Sequence, residues 1–203
     1  MNHSASPGRP AHNTLAARRD LLLATALDLF IAHGYADVSL AAIAGAAHVA
    51  VRTIYVKFGG KAGLLRALIS TESQRHRAQL DALPVGSNIP QQLELLAVHL
   101  VRRISDERVM QLHAIVMAEG DHDARDAWRD AGPGQLAAVL AALFSRAEAQ
   151  PLFDSGLTVQ DLCTHFFHCL GGHSNTGYKM TQAAPDIQVQ RGLRLFLRGV
   201  IRA

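Results

Sequence analysis

The sequence predicts an all-α protein: a three-helix N-terminal unit followed by a larger helical bundle. Three observations carry this reading. Hydrophobic residues make up 49% of the 203 positions and aromatics only 5%, with Ala and Leu dominant, a composition that favours helix and can bury a core. Apolar positions recur at spacings of three and four, and no stretch alternates with the two-residue period of a half-buried strand. Between the periodic stretches stand helix punctuators: Gly past the last apolar position, and Ser, Thr, Asn or Asp before the next.

Residues 1–13, rich in His, Ser, Pro and Gly, read as a disordered arm. From residue 14 onward, Leu22, Ala26, Leu29 and Phe30 place an apolar face on a first helix that stops at His33-Gly34. Ser39 can cap a second helix, with Leu40, Ile43 and Ala44 pointing inward. A tight turn near Ala46–His48 leads into a third helix, where Ile54 and Phe58 fall on the core side. Its remaining faces carry Val51, Arg52, Thr53, Tyr55 and Lys57. Ala50 stands where a polar cap is usual, a loss of about 1 kcal/mol to this helix. Gly59-Gly60 opens a fourth helix from Lys61 to about Leu80, long enough to connect two domains.

The segment Leu83-Pro84-Val85-Gly86-Ser87-Asn88 then breaks the pattern. Beyond it, helices are expected from Pro90 to about Ile104, from Glu107 to Ala118, and over Ala124–Asp130. Another starts at Gly132-Pro133-Gly134 and runs to Ala149. Thr158 with Asp161 forms a capping box for a helix through at least Leu170, and a last one runs from Pro185 to the C-terminus.

Two short helices joined by a tight turn, the second rich in cationic and hydroxyl side chains, form a helix-turn-helix whose second helix enters a DNA major groove. The charge distribution agrees. The formal net charge is +3, yet residues 1–66 hold seven of the cations against only Asp20, Asp28 and Asp37, so the positive excess sits in this third of the chain. At these residues the sequence resembles the N-terminal domain of TetR-family transcriptional regulators. The likeness lies in the Leu29-Phe30…Gly34-Tyr35 step, the Ser39…Ile43-Ala44 helix, and the Thr53-Ile54-Tyr55…Phe58…Lys61…Leu64 run. It departs at His48, where the family commonly has Gly, and at Ala50. The C-terminal half resembles AefR-like regulators in its AGPGQ…AALF stretch and its Gly156-Leu157…Asp161…Phe166 helix.

The resemblance implies a homodimer on a near-palindromic, inverted-repeat operator in double-stranded DNA, released by a small-molecule effector. It implies a helix-turn-helix domain at residues 14–62 and a ligand-binding and dimerisation domain at 63–203. On the reach of side chains, Arg52 is the base-reading residue, since Arg to guanine is the commonest specific contact. Val51 and Thr53 suit a thymine methyl or a phosphate, while Tyr55, Lys57, Lys61 and Ser39 suit phosphates.

For the effector, Met110, His113, Met117, Trp128, Phe144, Phe166 and Phe167 are expected to line a cavity taking a neutral or weakly charged hydrophobic molecule. Leu162, Phe166, Val189, Leu193, Phe196, Leu197 and Val200 form apolar rows on the last two helices and are the expected dimer interface. Two other readings stay open: a metal- or redox-sensing helical protein built on Cys163, His165, His168, Cys169 and His173, or a DNA-binding dimer that senses no ligand. No metal or cofactor is assigned. The two cysteines share one helix and suit free thiols in a reducing cytoplasm. No phosphate loop, zinc-protease or nucleophile-elbow motif argues for an enzyme, and no apolar run is long enough for a membrane span.

Overall fold

Side-chain caps open helix after helix where the sequence supplies them. The computed structural model describes residues 11–171 and 185–201, and among these lie α1 (Ala11–His33), α2 (Leu40–Ala46), α3 (Val51–Phe58), α4 (Lys61–Asp81) and α5 (Ile89–Ser105). They are followed by α6 (Glu107–Glu119), α7 (His122–Arg129), α8 (Gln135–Phe144), α9 (Val159–Gly171) and α10 (Pro185–Val200). The Ser39 hydroxyl accepts from the Ala42 amide at 3.1 Å, and Asn88 accepts from Gln91 at 2.9 Å with Pro90 in the first turn. Asp106 and Asp121 cap α6 and α7 in the same way. Thr158 and Asp161 form the expected reciprocal box: Asp161 N–H donates to Thr158 Oγ1 at 3.1 Å and Thr158 N–H to Asp161 Oδ2 at 2.9 Å. These bonds hold the Asp161 carboxyl below its usual pKa.

Three boundaries differ from expectation. α1 already runs from Ala11, so residues 11–13 belong to a helix, while 1–10 lie outside the described residues. Gly132-Pro133-Gly134 does not start a helix. Asp130–Gly134 form a single π-helical turn that carries α7 directly into α8, the wider turn accommodating a Pro whose N–H cannot join an α-helical ladder. α8 then ends at Phe144, short of Ala149, and a 3-10 turn at Gln150–Leu152 follows.

The buried side chains form two clusters. The first joins α1, α2, α3 and the front of α4 to α6 and α7, with Phe30, Ile43, Ile54 and Leu64 inside. The second joins the end of α4 to α5, α8, α9 and α10 around Leu96, Leu140, Phe144, Phe166 and Phe196. Packing therefore crosses residue 62, because Val109, Leu112 and Val116 of α6 complete the N-terminal core. Two close approaches depend on glycine. A Cβ at Gly63 would fall 1.4 Å from the Phe58 carbonyl oxygen, and one at Gly192 would fall 2.5 Å from Leu170 Cδ2. Neither helix pair could meet as it does with any larger residue there.

Candidate nucleic-acid interface and interior cavity

α2 and α3 meet at a bend of 108°, inside the range of a helix-turn-helix. The turn is built by local hydrogen bonds: Ala47 N–H to Ile43 O at 2.9 Å and Val49 N–H to Ala44 O at 2.9 Å. Between them His48 takes φ 54°, so His occupies the left-handed position that the sequence comparison assigned to Gly. Ala50 precedes α3 with no side-chain cap.

Buried Ile54 anchors α3 to the core and turns Arg52, Tyr55, Val56 and Lys57 to solvent. Val51 and Thr53 are half-buried at its flanks, and Ser39 is exposed at the start of α2. Among the described residues Arg52 and Lys57 have no acidic partner, and the Tyr55 hydroxyl has no hydrogen bond. Tyr55 is 58% exposed and Val56 74%. A short helix whose exposed positions carry a guanidinium at the centre and a phenol and an ammonium on either flank can receive a polyanion and read its edges.

Lys61 is arranged differently. Its ammonium donates to the carbonyls of Tyr35, Ala36 and Val38 at 2.7, 2.9 and 3.1 Å. All three N–H donors are used inside the domain, so the phosphate contact expected of Lys61 gives way to a structural role.

The C-terminal half contains a half-open cavity of about 240 Å³ lined by α4, α5, α6, α7, the π turn, α8 and α9. Of the residues expected to line it, Met110, His113, Trp128 and Phe167 do. His113 stacks on Trp128 with ring centres 5.8 Å apart. Phe144 and Phe166 do not: they are 2% and 0% exposed and pack with Phe153 and Phe196 in the second core. Met117, 40% exposed, faces outward. The wall also holds His76, Arg103, Gly132 and Pro133, which the sequence reading missed. Arg103 continues the Leu96, Leu100 stripe of α5 and His76 the Leu68, Ile69 stripe of α4, so the available signal was a polar residue on an apolar face.

His76 is fully buried; its Nδ1 donates to the Ala131 carbonyl at 3.1 Å and its ring stacks on His99 at 5.0 Å. Burial, reinforced by the Arg103 guanidinium, lowers its pKa to about 4, against a partial upward pull from the Ala131 and Gln135 contacts. Burial also lowers His99 and His113.

The expected dimer rows on α9 and α10 are largely internal. Leu162, Phe166, Val189, Phe196 and Val200 are 0–5% exposed within one chain, and Leu193 and Leu197 are half-buried. The apolar stripe closes this chain's own core because α10 packs along both α5 and α9. The outer side of α10 presents instead Ile187, 43% exposed, and Leu195, 63% exposed, among Arg191, Arg194 and Arg198.

In the Cys/His segment Cys163 is buried, its thiol pKa raised by burial, and Cys169 is half-buried. His165 packs on Phe196 instead of toward the thiols. Among the described residues no group of three or more His, Cys, Asp or Glu could hold a metal ion; His173 lies outside them. No single described helix is long and apolar enough to cross a membrane.

Residues 22–68 match the family of bacterial regulatory proteins, tetR family. No curated protein matches the chain in sequence. Among solved structures, a protein from Mesorhizobium loti assigned to the TetR family of transcriptional regulators superposes with a TM-score of 0.74 at 19% identity, over 92% of this chain and 98% of that one. The flavonoid-responsive regulator FrrA gives 0.70 at 22% identity, covering 93% and 100%. NalD of Pseudomonas aeruginosa, the secondary repressor of the MexAB-OprM multidrug efflux pump, gives 0.67 at 20%, covering 94% and 98%. Proteins of this family regulate transcription and are not enzymes. Residues 22–68 thus carry the DNA-binding domain of the bacterial regulatory proteins of the tetR family, and the chain shares its fold with those solved proteins over more than nine-tenths of its length.

Proposed function

We propose that this protein is a one-component repressor: a homodimer that holds an inverted-repeat operator and leaves it when a small hydrophobic ligand fills the cavity. The observation that carries the DNA half is the outward face of α3, where Arg52, Tyr55 and Lys57 stand without intramolecular partners. In this reading Arg52 reads a base edge, Val51 and Thr53 flank it, and Tyr55, Lys57 and Ser39 set register on phosphates. Dimerisation falls to the outer side of α10, where Ile187 and Leu195 remain uncovered.

Sensing is supported by the cavity and by its link to α3. α4 contributes Leu64 and Leu68 to the N-terminal core, and on the same helix His76 meets the cavity wall. A ligand that fits the cavity in one setting of α4 and not the other shifts the population between them, and operator and ligand weaken each other by the same factor. NalD is a repressor and FrrA responds to flavonoids; both share this fold.

Footprinting on the chain's own promoter tests the proposal. Two protected half-sites in inverted orientation, one helical turn or a multiple of it apart, are expected, with affinity falling steeply as salt rises. A single unpaired half-site, or binding indifferent to salt, would overturn it.

A further inference from the structure

The walls of the cavity are asymmetric in charge. Its lining includes one Arg and three His, yet no Asp or Glu. The Arg is Arg103, whose Nη1 donates to Glu72 Oε1 at 2.7 Å from the far side; the two side chains are 10% and 13% exposed. That bond engages one corner of the guanidinium. The opposite edge, Nη2 and Nε, lies beside Gly132, where a Cβ would stand 3.4 and 3.9 Å away. Among the described residues no acceptor meets that edge. A guanidinium nine-tenths buried, with a parallel pair of N–H groups left unmatched, is shaped for a planar oxyanion.

The rest of the cavity is apolar. Trp128 and His113 form a stacked pair on one side, with Met110, Leu136 and Phe167 completing the surface. Burial keeps His76 and His113 uncharged at neutral pH, so neither competes with Arg103 for an anion.

We infer that the effector is an amphipathic carboxylate: its carboxylate takes the Nε–Nη2 edge of Arg103 over Gly132, and its apolar or aromatic body lies along Trp128. Arg103 then bridges two carboxylates, the ligand's and that of Glu72 on α4. The inference rests on the ligand cavity of the proposed function and names the chemistry that the cavity selects.

Trp128 is the chain's single tryptophan and a cavity residue, so its fluorescence reports occupancy. Titration with 3-phenylpropanoate and with 3-phenylpropanamide, of the same shape but uncharged, separates the two claims. The acid is expected to bind at least tenfold more tightly than the amide. Glu72→Gln combined with Arg103→Gln removes both charges of the buried pair together, and is expected to bind the two compounds equally. Gly132→Ala, which places a methyl over the free edge, is expected to weaken the acid several-fold and to narrow its advantage over the amide. Equal affinities in the parent protein, or a preference for acid that survives the double substitution, would overturn the carboxylate seat and leave the cavity standing. No fluorescence response to either compound would overturn the cavity as a ligand site, and this inference with it.

Discussion

Lys61 holds Tyr35 twice: its ammonium donates to the Tyr35 carbonyl at 2.7 Å and stands 4.7 Å from the centre of the same residue's ring. With the carbonyls of Ala36 and Val38 it closes the α1–α2 loop onto the first turn of α4. Lys61→Ala is therefore expected to lower stability by roughly 1.5–3 kcal/mol, the range for hydrogen bonds to a charged group. Urea unfolding measures this, and the salt dependence of DNA binding should not change. An unaltered midpoint together with a shallower salt slope would return Lys61 to the phosphate backbone.

Arg52 and Lys57 should separate by what they read. Arg52→Ala is expected to cost about 1–3 kcal/mol and relax preference at one operator position. Lys57→Ala should weaken all sequences alike and reduce the salt slope by about 1. Fluorescence anisotropy with operator and scrambled duplexes over a salt series distinguishes the two. Equal operator affinity for Arg52→Ala and the parent would remove Arg52 from base reading.

Acid should destabilise the fold through His76. Its folded pKa, about 4, lies below the unfolded value of 6.5, so the unfolded chain binds more protons between these limits. Stability is thus full above pH 6.5 and is lost as pH falls toward 4; His99 and His113, also lowered, act in the same direction. Urea midpoints at pH 7 and pH 5 should differ, and His76→Gln should shrink the difference. A variant with an undiminished pH response would place its origin elsewhere.

Removal of the chain from Pro185 onward should unfold the C-terminal half instead of yielding a folded monomer, since Val189, Phe196 and Val200 leave the core with it. Leu195→Glu changes only an exposed position. Sedimentation should find it monomeric with unchanged helical circular dichroism. A dimer of undiminished strength would move the interface off this face of α10.

Helix type and order were legible because local chemistry determines them: Ser39, Asn88 and the Thr158–Asp161 box open the helices they were expected to open. The outward set on α3 was legible for a similar reason, since a short helix anchored by Ile54 has few faces to distribute. Periodicity marks a residue as buried without saying in which core. Hence Phe144 and Phe166, expected at a cavity, belong to the packed centre, and the α9 and α10 rows, expected between subunits, lie within one. Lys61 was misread because the carbonyls that capture it are 23–26 residues away in sequence. The unbroken passage from α7 to α8 was hidden by Pro133, which reads as a break in any local pattern.

The missing side chain at Gly63 has a mechanical consequence. Without a Cβ there, the carbonyl end of α3 sits directly against the first turn of α4, leaving no side-chain layer between them. A shift of α4 at this joint therefore bears directly on the end of α3, so the setting of α3 follows α4 without an intervening side chain. A methyl at that joint would force the α3 end away from α4 and change its resting angle, making Gly63 a point where DNA recognition could be mistuned without altering any residue that touches DNA.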